Sequence, residues 1–439
     1  MTYPETLTYL YGLQRTGIRM GLETVSRLLD GLGNPHRRFA SVHVAGTNGK
    51  GSTAAVIASV LRAAGCRVGL YTSPHLRRFN ERIQVNGTLI ADVQVVRLAQ
   101  RLRRVAEEAG LHPTFFEFTT AMAFAHFAES GVDVAVVEVG LGGRLDATNV
   151  LRPCVSVVTE IARDHEEYLG HSLEAIAREK AGIVKPRVPV VTTATDPGAL
   201  RVISETCAAR QAPLSLLGRD FHAEAVVPGL WGTRLSYRGL EVRLEEAFFN
   251  LAGRHQAGNA AGALAALEIL RAQGFPVSEA AMRRGLAEVQ WPGRLQVLPG
   301  TPPVLLDGAH NPAGAGALGA ALRELRPLGS GDLFLVLGIL DDKPVEEMVR
   351  VLAPLARWVI ATRPDTPRAA DPERIAAAAR ETASGVRVCG TVAEALAWAR
   401  TWARSHDWIC VTGSLYTVGE AFEAVSDLSA RQAVPAGAR

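Results

Sequence analysis

The sequence predicts an α/β protein: a large N-terminal P-loop domain with a mainly parallel sheet, then a smaller C-terminal Rossmann-like α/β domain. Three observations predict it. Apolar runs rich in Val and Ile alternate with longer helical patterns, as in parallel sheets covered by helices on both faces. A glycine-rich turn joins the first clear strand to a helix. Pro and Gly concentrate at Gln290-Trp291-Pro292-Gly293-Arg294 and Leu298-Pro299-Gly300-Thr301-Pro302-Pro303, after which the alternation restarts. The domains are therefore expected at residues 1–296 and 297–439, with the break as a linker and a cleft between them as the place for a ligand.

Each element follows from its pattern. Leu22 to Leu32 puts Val25, Leu28, Leu29 and Leu32 on one helical face, ahead of a strand at Ser41 to Ala45. Further strands are expected at Val68 to Tyr71, Val132 to Val139, Val155 to Thr159 and Val188 to Thr192. Between them, Val93 to Ala109 and Thr119 to Glu129 read as helices. Leu214 to Leu244 breaks into short β-like pieces of a small meander, and Asn259 to Ala272 is an Ala-rich helix. Beyond the break, strands are expected at Val304 to Asp307, Leu333 to Gly338, Trp358 to Thr362 and Trp408 to Thr412.

Composition narrows the function classes. With 439 residues, 48% hydrophobic and 21% charged, the chain is not wholly disordered, and a net charge of +3 is too small to argue for nucleic acid. Five dispersed cysteines without a C-x-x-C pair speak against a disulfide framework or a zinc ribbon and fit a reduced cytoplasm. The N-terminus lacks a basic segment followed by an apolar one, and no apolar run reaches the length of a membrane span. The expectation is a soluble cytoplasmic monomer without membrane or nucleic-acid partners. Of the 47 basic residues only Lys50, Lys180, Lys185 and Lys343 are lysines. Codon bias explains arginine at exposed positions. A surviving lysine can mark a site that needs a compact ammonium or an amine able to lose its proton.

The most informative segment is His43-Val44-Ala45-Gly46-Thr47-Asn48-Gly49-Lys50-Gly51-Ser52-Thr53, between a strand and the helical run Ala54 to Ala64. Glycines let backbone N–H groups turn inward around phosphate oxygens, the helix presents its positive end, and Lys50 can reach the terminal phosphates. The spacing departs from G-x-x-x-x-G-K-[ST], because Gly51 separates Lys50 from Ser52. A phosphate loop needs an acidic partner for Mg²⁺, and Glu138 closes the apolar run Val132 to Val137. Its alternative is an edge-strand charge facing water. Asp164-His165 and Glu179-Lys180 follow or precede strands, and read alone they are ordinary surface or helix ends.

The strings Ala45 to Ser52, Thr72-Ser73-Pro74-His75, Glu138 to Asn149 (EVGLGGRLDATN), Asp164-His165 with Leu169-Gly170, and Asp307-Gly308-Ala309-His310-Asn311-Pro312 occur in one order. Together they resemble the folylpolyglutamate synthase and dihydrofolate synthase family of the Mur ligase superfamily, over nearly the whole chain. The resemblance implies an ATP-dependent ligase that joins a folate or dihydropteroate carboxylate to L-glutamate through an acyl phosphate. It places Gly46, Thr47, Asn48, Gly49, Lys50, Gly51 and Ser52 on the ATP phosphates, with Asn259 at adenine and Arg294, Asp307 and His310 completing the nucleotide site. Ser73, Glu138 and His165 would hold Mg²⁺, and Lys180 would be carbamylated to help bind a second Mg²⁺. On the same resemblance, Lys50, Lys180 and His165 would be the catalytic set.

The substrate side follows the same resemblance. Arg82, Phe116 and Asp146 match the pterin surroundings, while Arg368 and Ser414 are candidates for the incoming glutamate. For an isolated Phe116, an ordinary core position is the competing reading. Leu13 to Leu32 and Phe116-Glu117-Phe118 look like the bifunctional type that uses both acyl substrates. Lys185 and Lys343 carry no assigned chemistry, and ordinary surface positions are their alternative. A muramyl-peptide ligase shares the ATP machinery and is the rival within the superfamily. A nucleotide-hydrolysing switch is the rival outside it, and the absence of Asn-Lys-x-Asp argues against its GTPase form. A ligase is expected to use ATP and Mg²⁺ and to close its two domains on the nucleotide.

Overall fold

The computed structural model describes residues 1–16, 21–326 and 331–432, so residues 17–20 of the Leu13 to Leu32 resemblance lie outside the described residues. The Val-rich runs form a sheet of eight strands: β1 (Ala40–Ala45), β2 (Val68–Tyr71), β3 (Ile83–Val85), β4 (Thr88–Leu89), β5 (Val134–Glu138), β6 (Val155–Val158), β7 (Val190–Thr192) and β8 (Leu214–Leu216). Their order is β4-β3-β2-β5-β1-β6-β7-β8. Every pairing from β2 to β8 is parallel, and only the β3 and β4 edge is antiparallel. Val42, Val44, Val134, Val136, Val155 and Val157 are all fully buried, which explains why these runs are continuously apolar rather than alternating.

This topology brings three strand ends together. Val44 of β1 lies opposite Glu138 of β5, and Ala45 lies opposite Val158 of β6. The glycine loop after β1 is thus flanked by Glu138 on one side and the Thr159 loop on the other. Helix Lys50–Ala63 leaves the loop and packs against helix Glu279–Glu288, where a Cβ on Gly285 would fall 2.5 Å from the Val60 Cα. That close approach leaves room for the Ser59 hydroxyl to donate to the Gly285 carbonyl at 2.8 Å.

Several local expectations shift. The helix expected from Thr119 begins at Phe115, because Thr114 and Glu117 form a capping box: the Glu117 N–H donates to Thr114 Oγ1, and Thr114 N–H donates back to Glu117 Oε2 at 2.8 Å. Phe116 therefore rides on a first helical turn. The expected meander divides: β8 extends the parallel sheet, while β9 (His222–Gly229), β10 (Gly232–Arg238) and β11 (Arg243–Phe249) form a three-stranded sheet in the order β11-β10-β9.

The chain separates into two units: residues 1–227, 234–250 and 255–290, and residues 228–233, 251–254 and 291 onward. This division differs from the expected 296/297 boundary and adds two short insertions to the second unit. The second unit holds β12 (Gln296–Leu298), β13 (Val304–Leu306), β14 (Leu333–Leu337), β15 (Trp358–Ala361), β16 (Gly385–Val388) and β17 (Trp408–Thr412) in the order β12-β13-β17-β14-β15-β16. The stretch read as linker is in part β12, antiparallel to β13. The Pro and Gly cluster between them is a hairpin connection. β16 escaped the pattern because Gly-Val-Arg-Val is a short edge strand with one arginine exposed. Among the described residues no helix is long and apolar enough to cross a membrane.

Candidate active site

The glycine loop is built by two left-handed residues. Gly46 has φ 146° and Gly49 φ 87°. A Cβ on Gly46 would fall 1.8 Å from the Thr159 hydroxyl, and one on Gly49 would fall 2.1 Å from Asn259 Oδ1. Asn259 is thus pressed against the loop, and its amide is steered by a 2.9 Å bond to Gln256 Oε1. Thr47 is tied down from both ends: its N–H donates to Glu160 O at 2.8 Å, and its hydroxyl donates to Ala162 O at 3.0 Å. Thr159 Oγ1 donates to Asn48 O at 2.8 Å. Gly49 caps the helix and supplies no side-chain acceptor for the first-turn N–H groups. The positive helix end is therefore available to an anion.

Two lysines converge here. Lys50 Nζ donates to the carbonyls of Gly46 and Thr47, both at 3.0 Å, and Lys180 Nζ donates to the same Gly46 carbonyl at 2.8 Å. Lys180 is 5% exposed. Burial and then the Lys50 charge bring its amine down from 10.5 to about 7, partly offset by Asp164 and Asp146. The shift favours the uncharged amine, the form that captures CO₂.

Of the expected metal residues, Ser73 and Glu138 meet, while His165 bonds to its neighbour Asp164. Glu138 is 5% exposed and its Oε2 accepts the Ser73 N–H at 3.0 Å, so Ser73, following β2, does meet Glu138, ending β5. His165 has φ 53°, and its N–H donates to Asp164 Oδ1 at 3.0 Å. Among the described residues no three or more His, Cys, Asp or Glu side chains form a ready metal cage. A buried carboxylate beside a serine still suits Mg²⁺, which keeps waters and phosphate oxygens and needs only one or two carboxylates.

The expected substrate side is an aromatic and cationic cluster. A Cβ on Gly140 would fall 2.4 Å from Phe116, so that ring lies on the Gly140 backbone, beside Tyr71 at a centroid distance of 6.0 Å. Arg82 is buried, with Nε donating to His75 Nδ1 at 2.8 Å and its guanidinium 5.1 Å from the Phe115 centroid. Burial, then Arg82, hold the His75 imidazole down to about 3, which keeps Nδ1 free to accept. Asp146 is spent on its own loop: Oδ2 accepts from Gly140 N at 3.0 Å and Leu141 N at 2.9 Å, and Oδ1 accepts from Thr148 N and the Thr148 hydroxyl.

In the second unit, Arg294, Asp307 and His310 gather around Gly308. The Gly308 N–H donates to Gly293 O at 2.9 Å, and a Cβ on Gly308 would strike Arg294 Nη1 at 2.3 Å. Asp307 accepts from Leu295 N at 3.0 Å and Ala309 N at 2.9 Å, fixing Leu295 at φ 43°. His310 Nδ1 lies 2.8 Å from Gly308 O. Arg368 is instead exposed and paired with Asp342 at 2.8 Å, and the buried Ser414 hydroxyl accepts the Thr417 N–H as a helix cap. Neither remaining lysine is an open surface residue. Lys343 is 6% exposed, and Lys185 is half-buried with Nζ donating to Asn149 O at 2.8 Å. Sequence reasoning gave no role to His43, His75 or Gln256, although each is a polar side chain inside an otherwise apolar or motif-bearing run.

Comparisons with known proteins show what the chain is similar to. The Mur ligase middle domain matches residues 44–267, and the Mur ligase glutamate ligase domain matches residues 293–415. Dihydrofolate synthase/folylpolyglutamate synthase of Bacillus subtilis is 39% identical over 84% of this chain and 86% of its own. Folylpolyglutamate synthase of Mycobacterium tuberculosis complexed with ADP superposes with a TM-score of 0.89 at 35% identity, covering 96% and 98% of the two chains. FolC of Escherichia coli in complex with DHPP and ADP gives 0.87 at 32% identity, covering 98% and 99%.

Proposed function

The chain belongs to the folylpolyglutamate synthase and dihydrofolate synthase family of Mur ligases, and from that premise we propose that it adds L-glutamate to dihydropteroate and to folates. The γ-phosphoryl group of ATP passes to the substrate carboxylate, giving an acyl phosphate and ADP. The glutamate amine then attacks the acyl carbon, phosphate leaves, and an amide remains. No enzyme nucleophile is needed, so positioning and charge neutralisation carry the catalysis.

One observation carries this reading: Lys50 and Lys180 meet at the Gly46 carbonyl on a loop shaped for phosphate. Gly46 to Ser52 cradle the triphosphate, with Lys50 swinging from the loop carbonyls to the phosphates. Asn259, Arg294, Asp307 and His310 are the proposed remaining nucleotide contacts. Lys180 adds CO₂, losing a proton to become a carbamate. Ser73, Glu138, His165 and this carbamate are the residues that would hold Mg²⁺, which when bound offsets phosphate charge. Phe116 and Arg82 face the pterin substrate, and Asp146 shapes that pocket through the Gly140 turn. Arg368 and Ser414 remain the proposed glutamate contacts, with Ser414 acting from its helix cap.

A cytoplasmic monomer fits the reading. The muramyl-peptide alternative has less support, since the similar proteins are named folate synthases. The test is ATP turnover by the purified protein with and without dihydropteroate plus glutamate. Turnover that depends on both substrates is expected, and equal turnover without them would overturn the ligase reading.

A further inference from the structure

His43 sits in the middle of β1, fully buried among valines, where an imidazole needs a reason. Its Nε2 lies 2.8 Å from Thr148 Oγ1, and the Thr148 hydroxyl bonds in turn to Asp146 Oδ1. The directions follow from proton counting. Asp146 receives N–H bonds from Gly140, Leu141 and Thr148, so it acts as an acceptor and takes the single hydroxyl proton of Thr148 as well. Thr148 oxygen must then accept from His43 Nε2–H. The remaining ring nitrogen, Nδ1, is a bare acceptor, in agreement with its lack of any hydrogen-bond partner. Burial, then Lys185, hold the imidazole down to about 3, which keeps this neutral form.

We propose that His43 and Thr148 are positioning residues for the acyl substrate: His43 orients Thr148, Thr148 orients Asp146, and Asp146 clamps the Gly140–Leu141 turn on which the Phe116 ring rests. The chain of contacts is continuous. Gly140 and Leu141 come one residue after the strand that ends at Glu138, and a Cβ on Gly140 would collide with the Phe116 ring. The same loop is anchored further on, where Asn149 Nδ2 donates to Arg144 O at 2.9 Å and Gly182 O at 3.2 Å. Removing one link of a buried polar chain leaves its neighbours unpaired in a low-dielectric interior, at a cost that can exceed one hydrogen bond. The inference rests on the folate reading above, because it needs a pterin-bearing substrate beside Phe116.

The test is binding of dihydropteroate in the presence of ADP, with ADP binding measured in parallel. Thr148→Val keeps the shape and removes the hydroxyl, and it should weaken dihydropteroate by about ten-fold or more while ADP affinity is unchanged. Thr148→Ser should bind as the unaltered protein does. At position 43, His43→Gln places an amide N–H where Nε2–H stood and should retain binding, whereas His43→Asn is too short to reach Thr148 and should lose it. This pair keeps the test decisive if Thr148→Val does not fold. Equal dihydropteroate affinity for His43→Gln and His43→Asn, or parallel losses of ADP and dihydropteroate affinity, would overturn the proposal. Absence of dihydropteroate binding by the unaltered protein, with ADP bound, would overturn the folate reading and this proposal together.

Discussion

Replacing Lys180 by methionine removes an amine while keeping an unbranched side chain in a site that is 5% exposed. Lys180 falls from 10.5 to about 7 because burial, then Lys50, disfavour its charge. The folded state therefore holds fewer protons than the unfolded state between those two values, and stability rises with pH through that window. Below pH 7 both states carry the proton and the full penalty applies. Between pH 7 and pH 9 the gain from this one group is about 2 kcal/mol, out of a total difference of about 5 kcal/mol. The assay is urea unfolding in CO₂-free buffer, read as the difference between the unaltered protein and Lys180→Met so that other titrations cancel. That difference should grow in favour of lysine by about 2 kcal/mol over the interval. Parallel curves would refute the depressed amine, and with it the basis of the proposed carbamate. Lys180→Arg, whose guanidinium keeps its charge, should lose most activity, and near-normal turnover would contradict the carbamate.

Lys50→Ala should lower ATP use severely while thermal stability changes little, since its partners are loop carbonyls; steady-state kinetics with ATP varied would check it. Gly49→Ala places a Cβ 2.1 Å from Asn259 Oδ1 at a φ of 87°, so nucleotide affinity measured by calorimetry should fall, and wild-type affinity would contradict the loop geometry. Ser414→Ala removes the acceptor for the Thr417 N–H and should cost about 1 kcal/mol, visible as a lower unfolding midpoint.

The parallel architecture was legible because β1, β5 and β6 are buried on both faces, which leaves unbroken Val runs. The glycine loop was legible because only glycine fits at Gly46 and Gly49, and the arginine-rich background made Lys50 and Lys180 conspicuous. Other features were hidden for physical reasons. The Phe115 helix start depends on a capping box inside an aromatic run, and β12 pairs across a Pro-rich hairpin that reads as a linker. The convergence of both lysines on one carbonyl joins residues 134 positions apart, which no local pattern reports. His43 reads as a strand residue until its partner 105 positions away is known. Lys343 carries no assigned chemistry, and its burial departs from the surface position that was its alternative.

The central claim is ligation of glutamate to a pterin-bearing carboxylate at the expense of ATP. Its most direct measurement is the mass of products after incubation with ATP, Mg²⁺, L-glutamate and either dihydropteroate or a reduced folate. The predicted result is one glutamate residue gained per ADP released, with neither product formed when acyl substrate or glutamate is omitted. ADP release without any gain in acyl-substrate mass would contradict it.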